Sequence, residues 1–198
     1  MSLLGGTAAL LGVLSGCLWR VPRFAAADRV WFERINRPDR LPILDPLWIA
    51  LRPFGRTWFL LLAVGMGLAF GGAPWLSFAA TAGLLAVLEP LLKRAVRRVR
   101  PYLELPGANL RLRQAPTDHS FPSGDAGRAG LLAAAVCFAI AAPPWIGVLA
   151  AATAALVAVG RVRAGVHYPF DVWAGAWLGF GLGTAWAGWF PFFVTHLT

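Results

Sequence analysis

Gripping a phosphate takes several cations, and cleaving it takes a nucleophile held beside them; three short strings of this chain supply both. They are KRAVRRVRP (Lys93 to Pro101), FPSGD (Phe121 to Asp125) and GRVRAGVHYPFD (Gly160 to Asp171). Lys93 and Arg100 are seven residues apart, nearly two turns of a helix, so both would point one way with Arg97 close to that face. Pro101 would end such a helix. Ser123 and Gly124 open an apolar block. The free N–H groups of a helix N-terminus bind anions, Gly124 lets a phosphate approach the backbone, and Ser123 offers a hydroxyl. Plain helix capping explains Ser123 equally well and competes with a chemical role for Asp125. Arg161 precedes His167, and Asp171 follows His167 by four residues. From the first turn of a helix begun by Pro169, Asp171 could hold one imidazole nitrogen and leave the other free to attack.

The elements that must position these groups are apolar. Of 198 residues 58% are hydrophobic and only 14% charged, where a soluble domain carries about a quarter charged. The apolar residues run in long blocks, which makes this one integral membrane domain over residues 1–198. The expected fold is all-α with six transmembrane helices: Leu3 to Trp19, Thr57 to Ala73, Pro74 to Leu92, Pro122 to Ala142, Pro143 to Val159 and Pro169 to Phe193. Arg20 and Arg23 follow the first block and no Lys or Arg precedes it, so it reads as a retained helix rather than a signal peptide. The FAAADRVWFERINR stretch reads as an additional interfacial amphipathic helix. Uncharged turns at Gly71 to Pro74 and at Ala142 to Pro144 alternate with long or charged connections, so all three strings fall on one side of the membrane. Arg94 and Arg98 read as ordinary snorkelling charges beside lipid headgroups.

The net charge of +9 is almost all arginine, placed at the ends of apolar blocks. Lipid phosphate or an anionic substrate is the expected partner there, not nucleic acid. Cys17 and Cys137 lie inside apolar blocks and suggest neither a disulfide nor a metal site. Tryptophans near the block ends form an aromatic belt.

Taken in order, the three strings resemble the signature of the type 2 phosphatidic acid phosphatase (PAP2) superfamily, K-x6-RP, PSGH and SR-x5-H-x3-D. The first part is complete in Lys93 and Arg100-Pro101, and the third has Arg161, His167 and Asp171 with Gly160 in place of Ser. The span order is similar too, including Asn36 and Leu44-Asp45 before the second span. The resemblance implies an integral-membrane lipid phosphatase without metal or other cofactor. It implies that His167 becomes phosphohistidine, that Asp171 orients it, and that Lys93, Arg100, Arg161, Ser123 and the Gly124 N–H stabilise the transition state.

One position departs from the signature. The family's second motif ends in the His that protonates the leaving group, and this chain has Asp125. Asp125 is expected as the acid if its proton is retained, with His119 as the alternative. A phosphate leaving group, as in a diphosphate, would relax the need for either. The other readings are a lipid phosphotransferase using the same histidine and a non-catalytic lipid-phosphate binder. Localisation is expected in the bacterial cytoplasmic (inner) membrane. Three strings and their connections carry all basic residues but Arg128, fourteen after Lys93, Arg100 and Arg161 are set aside, against none on the opposite side. By the positive-inside rule the site would face the cytoplasm, although bacterial members of the family often place it on the outer face.

Overall fold

The computed structural model describes residues 2–37, 44–72, 74–138 and 143–197. Within these the chain is helical with no strand: α1 (Ser2–Gly16), α2 (Pro22–Asn36), α3 (Leu44–Leu51), α4 (Thr57–Gly71), α5 (Pro74–Val96), α6 (Pro101–Glu104), α7 (Gly124–Phe138), α8 (Pro144–Arg163) and α9 (Pro169–Leu197). The expected end of the fourth span at Ala142, and residue Ala73 of the first turn, lie outside the described residues.

Three stretches, Leu3–Arg20, Pro74–Glu104 and Pro144–Arg163, are long and apolar enough to cross a bilayer. A fourth crossing forms if the pair Asp45–Gly55 and Thr57–Gly71, bent by 53°, acts as one. The expected sixth span is a continuous 29-residue helix, α9. Its four tryptophans and five glycines dilute its hydropathy.

Glycines explain why α9 sits at the centre. Gly175, Gly179 and Gly183 recur every four residues, so they form one stripe, and a Cβ on them would collide with Ser123, just before α7, and with Gly127 and Leu131 on it. On its other side Gly181 meets the backbone of Gly5 and Ala9 on α1. Small residues let helix backbones touch where lipid gives no hydrophobic drive to associate. Phe78, Leu85, Leu131, Leu178 and Trp186 fill the gaps between α5, α7 and α9. Outward, Leu3, Leu10, Leu61, Met66 and Val148 are exposed, as a lipid-facing surface requires.

The α2 helix matches its expected stretch, but its buried residues are Asp28, Phe32 and Asn36. These are four residues apart, so two polar side chains face inward with Phe32 while Val30 and Trp31 are exposed. Asn36 uses its amide as a splice: Nδ2 donates to the Arg163 and Asn109 carbonyls at 2.9 and 3.0 Å, and Oδ1 accepts from the Asn109 N–H at 2.7 Å.

Candidate active site

The first string is not one helix. α5 stops at Val96, four residues before the end expected from Pro101, and Arg97 turns the chain with a left-handed φ of 53°. Residues 97–100 then run without helix, pinned by Ser120, whose N–H donates to the Arg98 carbonyl at 2.9 Å. In such extended chain alternate residues share a face. Arg98 and Arg100 are therefore buried while Val99 is exposed. Lys93 reaches the same region from the last turn of α5, and Arg97 stays outside it.

Arg98 corrects the snorkelling interpretation. Its guanidinium bridges two buried carboxylates, donating to Asp171 Oδ1 at 2.8 Å and Asp28 Oδ2 at 2.5 Å, and it stacks on Tyr168 and Trp19. Arg100 lies against the imidazole instead: Nη1 is 3.3 Å from His167 Nε2 and donates to the Val166 carbonyl at 2.8 Å. Asp171 stands in the first turn of α9, behind the imidazole. Its Oδ2 accepts from the Tyr168 N–H at 2.9 Å and stands 3.8 Å from His167 Nδ1, outside hydrogen-bond reach, and that nitrogen is buried without a partner. Burial pushes the His167 imidazole down to about 4, aided by the charges of Arg100 and Arg161 and opposed by Asp171, so it is neutral at pH 7.

Lys93 and Arg100 meet on Asp118, which accepts from Lys93 Nζ at 2.5 Å and from Arg100 Nη2 at 2.6 Å. Partial burial works to raise this carboxyl, but the hydrogen bonds and charges of the two cations outweigh it and hold it down at about 2. Nothing in the motifs marked Asp118. His119 contributes its carbonyl, 3.3 Å from Arg100 Nη2.

Ser123 is wholly buried just before α7; its N–H donates to the Asp171 carbonyl at 2.9 Å, and its Oγ has no partner. The hydroxyl is thus free rather than used as a cap. Gly124 is required by a neighbour: the Glu89 carboxylate lies where a Cβ would go. Glu89 also accepts from Lys93 at 2.7 Å and from Arg128 at 2.8 Å. Asp125 accepts from Arg128 Nη2 at 2.8 Å and lies 3.1 Å from Arg161 Nε. A carboxylate shared by two guanidiniums favours its charged form, so this geometry argues against the proton-donating role expected of Asp125. Lys93, Glu89, Arg128, Asp125 and Arg161 form one chain of alternating charge. Glu89 and Arg128 carried a signal in the sequence, since ionisable residues within apolar spans are costly and mark functional sites. Gly160, the family's serine position, packs against the Trp48 side chain.

All eight expected site residues therefore converge. The Arg100–His167–Asp171–Ser123 line joins the ion-pair chain at Lys93 through Asp118 and at Gly124 through Glu89. An undecaprenyl-diphosphatase from Sulfolobus acidocaldarius is 30% identical over 150 residues, 75% of this chain and 71% of that protein. The crystal structure of a transmembrane PAP2-type phosphatidylglycerolphosphate phosphatase from Bacillus subtilis has the same fold, with a TM-score of 0.77 at 23% identity over 94% of this chain and 95% of that one. Aquifex aeolicus LpxE matches with a TM-score of 0.66 at 28% identity over 77% and 90%. A sequence profile described as the PAP2 superfamily covers residues 74–194, from the start of α5 through most of α9, and with the three ordered motifs it shows that the chain belongs to that superfamily.

Proposed function

We propose that this protein is a membrane lipid phosphatase that removes phosphate from a phosphorylated or pyrophosphorylated lipid through a phosphohistidine at His167. The observation that carries this is the buried His167 imidazole with its Nε2 3.3 Å from Arg100 Nη1, beside the unpartnered buried Ser123 Oγ and Arg161 Nη1. Lys93, Arg100, Arg161, Ser123 and the Gly124 N–H would hold the phosphoryl oxygens, Nε2 would attack phosphorus, and water would release phosphate from the imidazole. Asp171, fixed by Arg98 and the Tyr168 N–H, would steady the imidazolium as it forms. We assign Asp125 to positioning Arg161. The substrate is a lipid in the surrounding bilayer, and the six long helices α1, α4, α5, α7, α8 and α9 serve as spans, with α2 at the interface.

Phosphate release from a panel of pure phosphorylated lipids tests this. His167→Ala is expected to lose at least ~10³-fold in turnover while still binding lipid, and acid-labile radiolabelled phosphohistidine is expected in the unsubstituted protein. Full activity in His167→Ala would sink the mechanism. Turnover that requires an acceptor hydroxyl would favour phosphotransfer.

A further inference from the structure

A cavity of about 750 Å³ opens beside the phosphate cradle and shares Arg161 with it. Among the described residues its walls carry four more arginines, Arg52, Arg56, Arg111 and Arg113, against a single acid, Asp45. Asp45 is already matched: it accepts from Arg163 at 2.6 Å and from Arg111 at 2.7 Å. Several guanidinium N–H groups around the cavity nonetheless have no acceptor. Arg161 is 4% exposed with Nη1 lacking a hydrogen-bond partner, and Arg52 Nε and Arg111 Nη2 are likewise buried and unpaired. Buried guanidinium N–H groups without acceptors are costly, and a planar donor fork suits phosphate oxygens.

The second observation is chemical. Expelling a lipid alkoxide needs an acid, and Asp125 is engaged by Arg128 and Arg161. Expelling a phosphate monoester needs much less protonation, and a cation at the leaving oxygen serves in place of a proton.

Resting on the phosphatase reading above, we propose that the arginine cavity is a subsite for a second phosphate of the substrate headgroup, the lipid-side phosphate of a lipid diphosphate. Neutral His167 attacks the terminal phosphorus through Nε2, and the bond from that phosphorus to the bridging oxygen breaks. The electron pair stays on that oxygen, so the trianionic diphosphate yields a dianionic lipid monophosphate and a singly charged phosphohistidine. Water then gives dihydrogen phosphate and restores the imidazole. Arg52, Arg56, Arg111 and Arg113 receive the departing monophosphate, and Arg161 spans both phosphates.

Two arms test this on the full chain in detergent. In the first, phosphate release is compared for a monophosphate and a diphosphate on the same isoprenoid tail. The double variant Arg52→Gln/Arg113→Gln is expected to lose about 10-fold or more in kcat/KM on the diphosphate and to stay within about twofold on the monophosphate. Equal losses on both, as for a cavity that merely holds bulk phospholipid, or no loss on either, would overturn the subsite. The second arm needs no turnover. In His167→Ala protein, calorimetric titration is expected to find inorganic pyrophosphate bound about 10-fold tighter than inorganic phosphate, an advantage erased by the double variant. Equal affinities before that substitution would also overturn it. No phosphate release from any lipid, with the pyrophosphate preference intact, would reject the phosphatase reading and leave the subsite standing.

Discussion

As the proposed nucleophile, His167 would attack phosphorus only as the neutral imidazole, and its burial favours that form far below the pH at which free histidine charges. Its folded value is about 4 against 6.5 for the free group. The acid limb of a kcat/KM profile is therefore expected near pH 4 to 5 rather than 6.5, and a limb at 6.5 would show an exposed nucleophile. The same shift bears on stability. Between about pH 6.5 and 4 the unfolded imidazole takes a proton that the folded one refuses, so stability falls as pH drops through that window. Arg98 matters as much at this scale. Removing it in Arg98→Ala strands the Asp28 and Asp171 carboxylates, both fully buried, at a cost of about 3–5 kcal/mol, read as a lowered unfolding midpoint together with lost turnover. Its importance was hidden because an arginine between Val96 and Pro101 looks the same in sequence whether it snorkels or turns inward. His167 and Asp171 stood out by their spacing, although Asp171 is held by Arg98 and the Tyr168 N–H and not by the imidazole; Asp118, Asp28 and Arg98 meet partners from distant segments.

The helices were legible where apolar blocks end in proline: α5, α8 and α9 all begin at or next to one, at Pro74, Pro144 and Pro169. The end of α5 was not. Pro101 restricts only Arg100 directly, whereas the true stop depends on Arg97 taking a left-handed conformation that the sequence does not favour with Gly or Asn. Contact between helices was also beyond a sequence reading, since five glycines in α9 look like weak helix formers until the facing stripe of α7 is known. Gly179→Ala puts a Cβ into the Gly127 carbonyl. It is expected to cost about 1–3 kcal/mol and to lower activity severalfold, because Ser123 and Asp171 sit at the ends of the two helices it pushes apart. Unchanged kinetics and thermal stability would show that the contact can relax.

The three strings lie on one face of the whole molecule, and that face was legible from the alternation of charged and uncharged connections. It also holds the basic excess, although Lys93, Arg98, Arg100, Arg161 and Arg163 each stand against an internal carboxylate. By the positive-inside rule the exposed remainder would put this face on the cytoplasmic side, which is our proposal for the topology. With Cys17 and Cys137 replaced by Ala, a membrane-impermeant thiol reagent on intact cells is expected to label a cysteine appended to the C-terminus and not one at Ala115. The reverse pattern inverts the topology. A face so basic suits a surface of anionic headgroups. Because Asp118 lies across Lys93 and Arg100 as a counter-ion, substrate arrival under the proposed function would be an ion exchange: a phosphoryl group would come in, and this half-exposed carboxylate would give way to water. The affinity is then a difference between two anions on the same cations. Bulk phosphodiesters with one charge gain little from that trade, a terminal phosphate with two gains more, and ionic strength, which screens both sides of the exchange, weighs on it lightly.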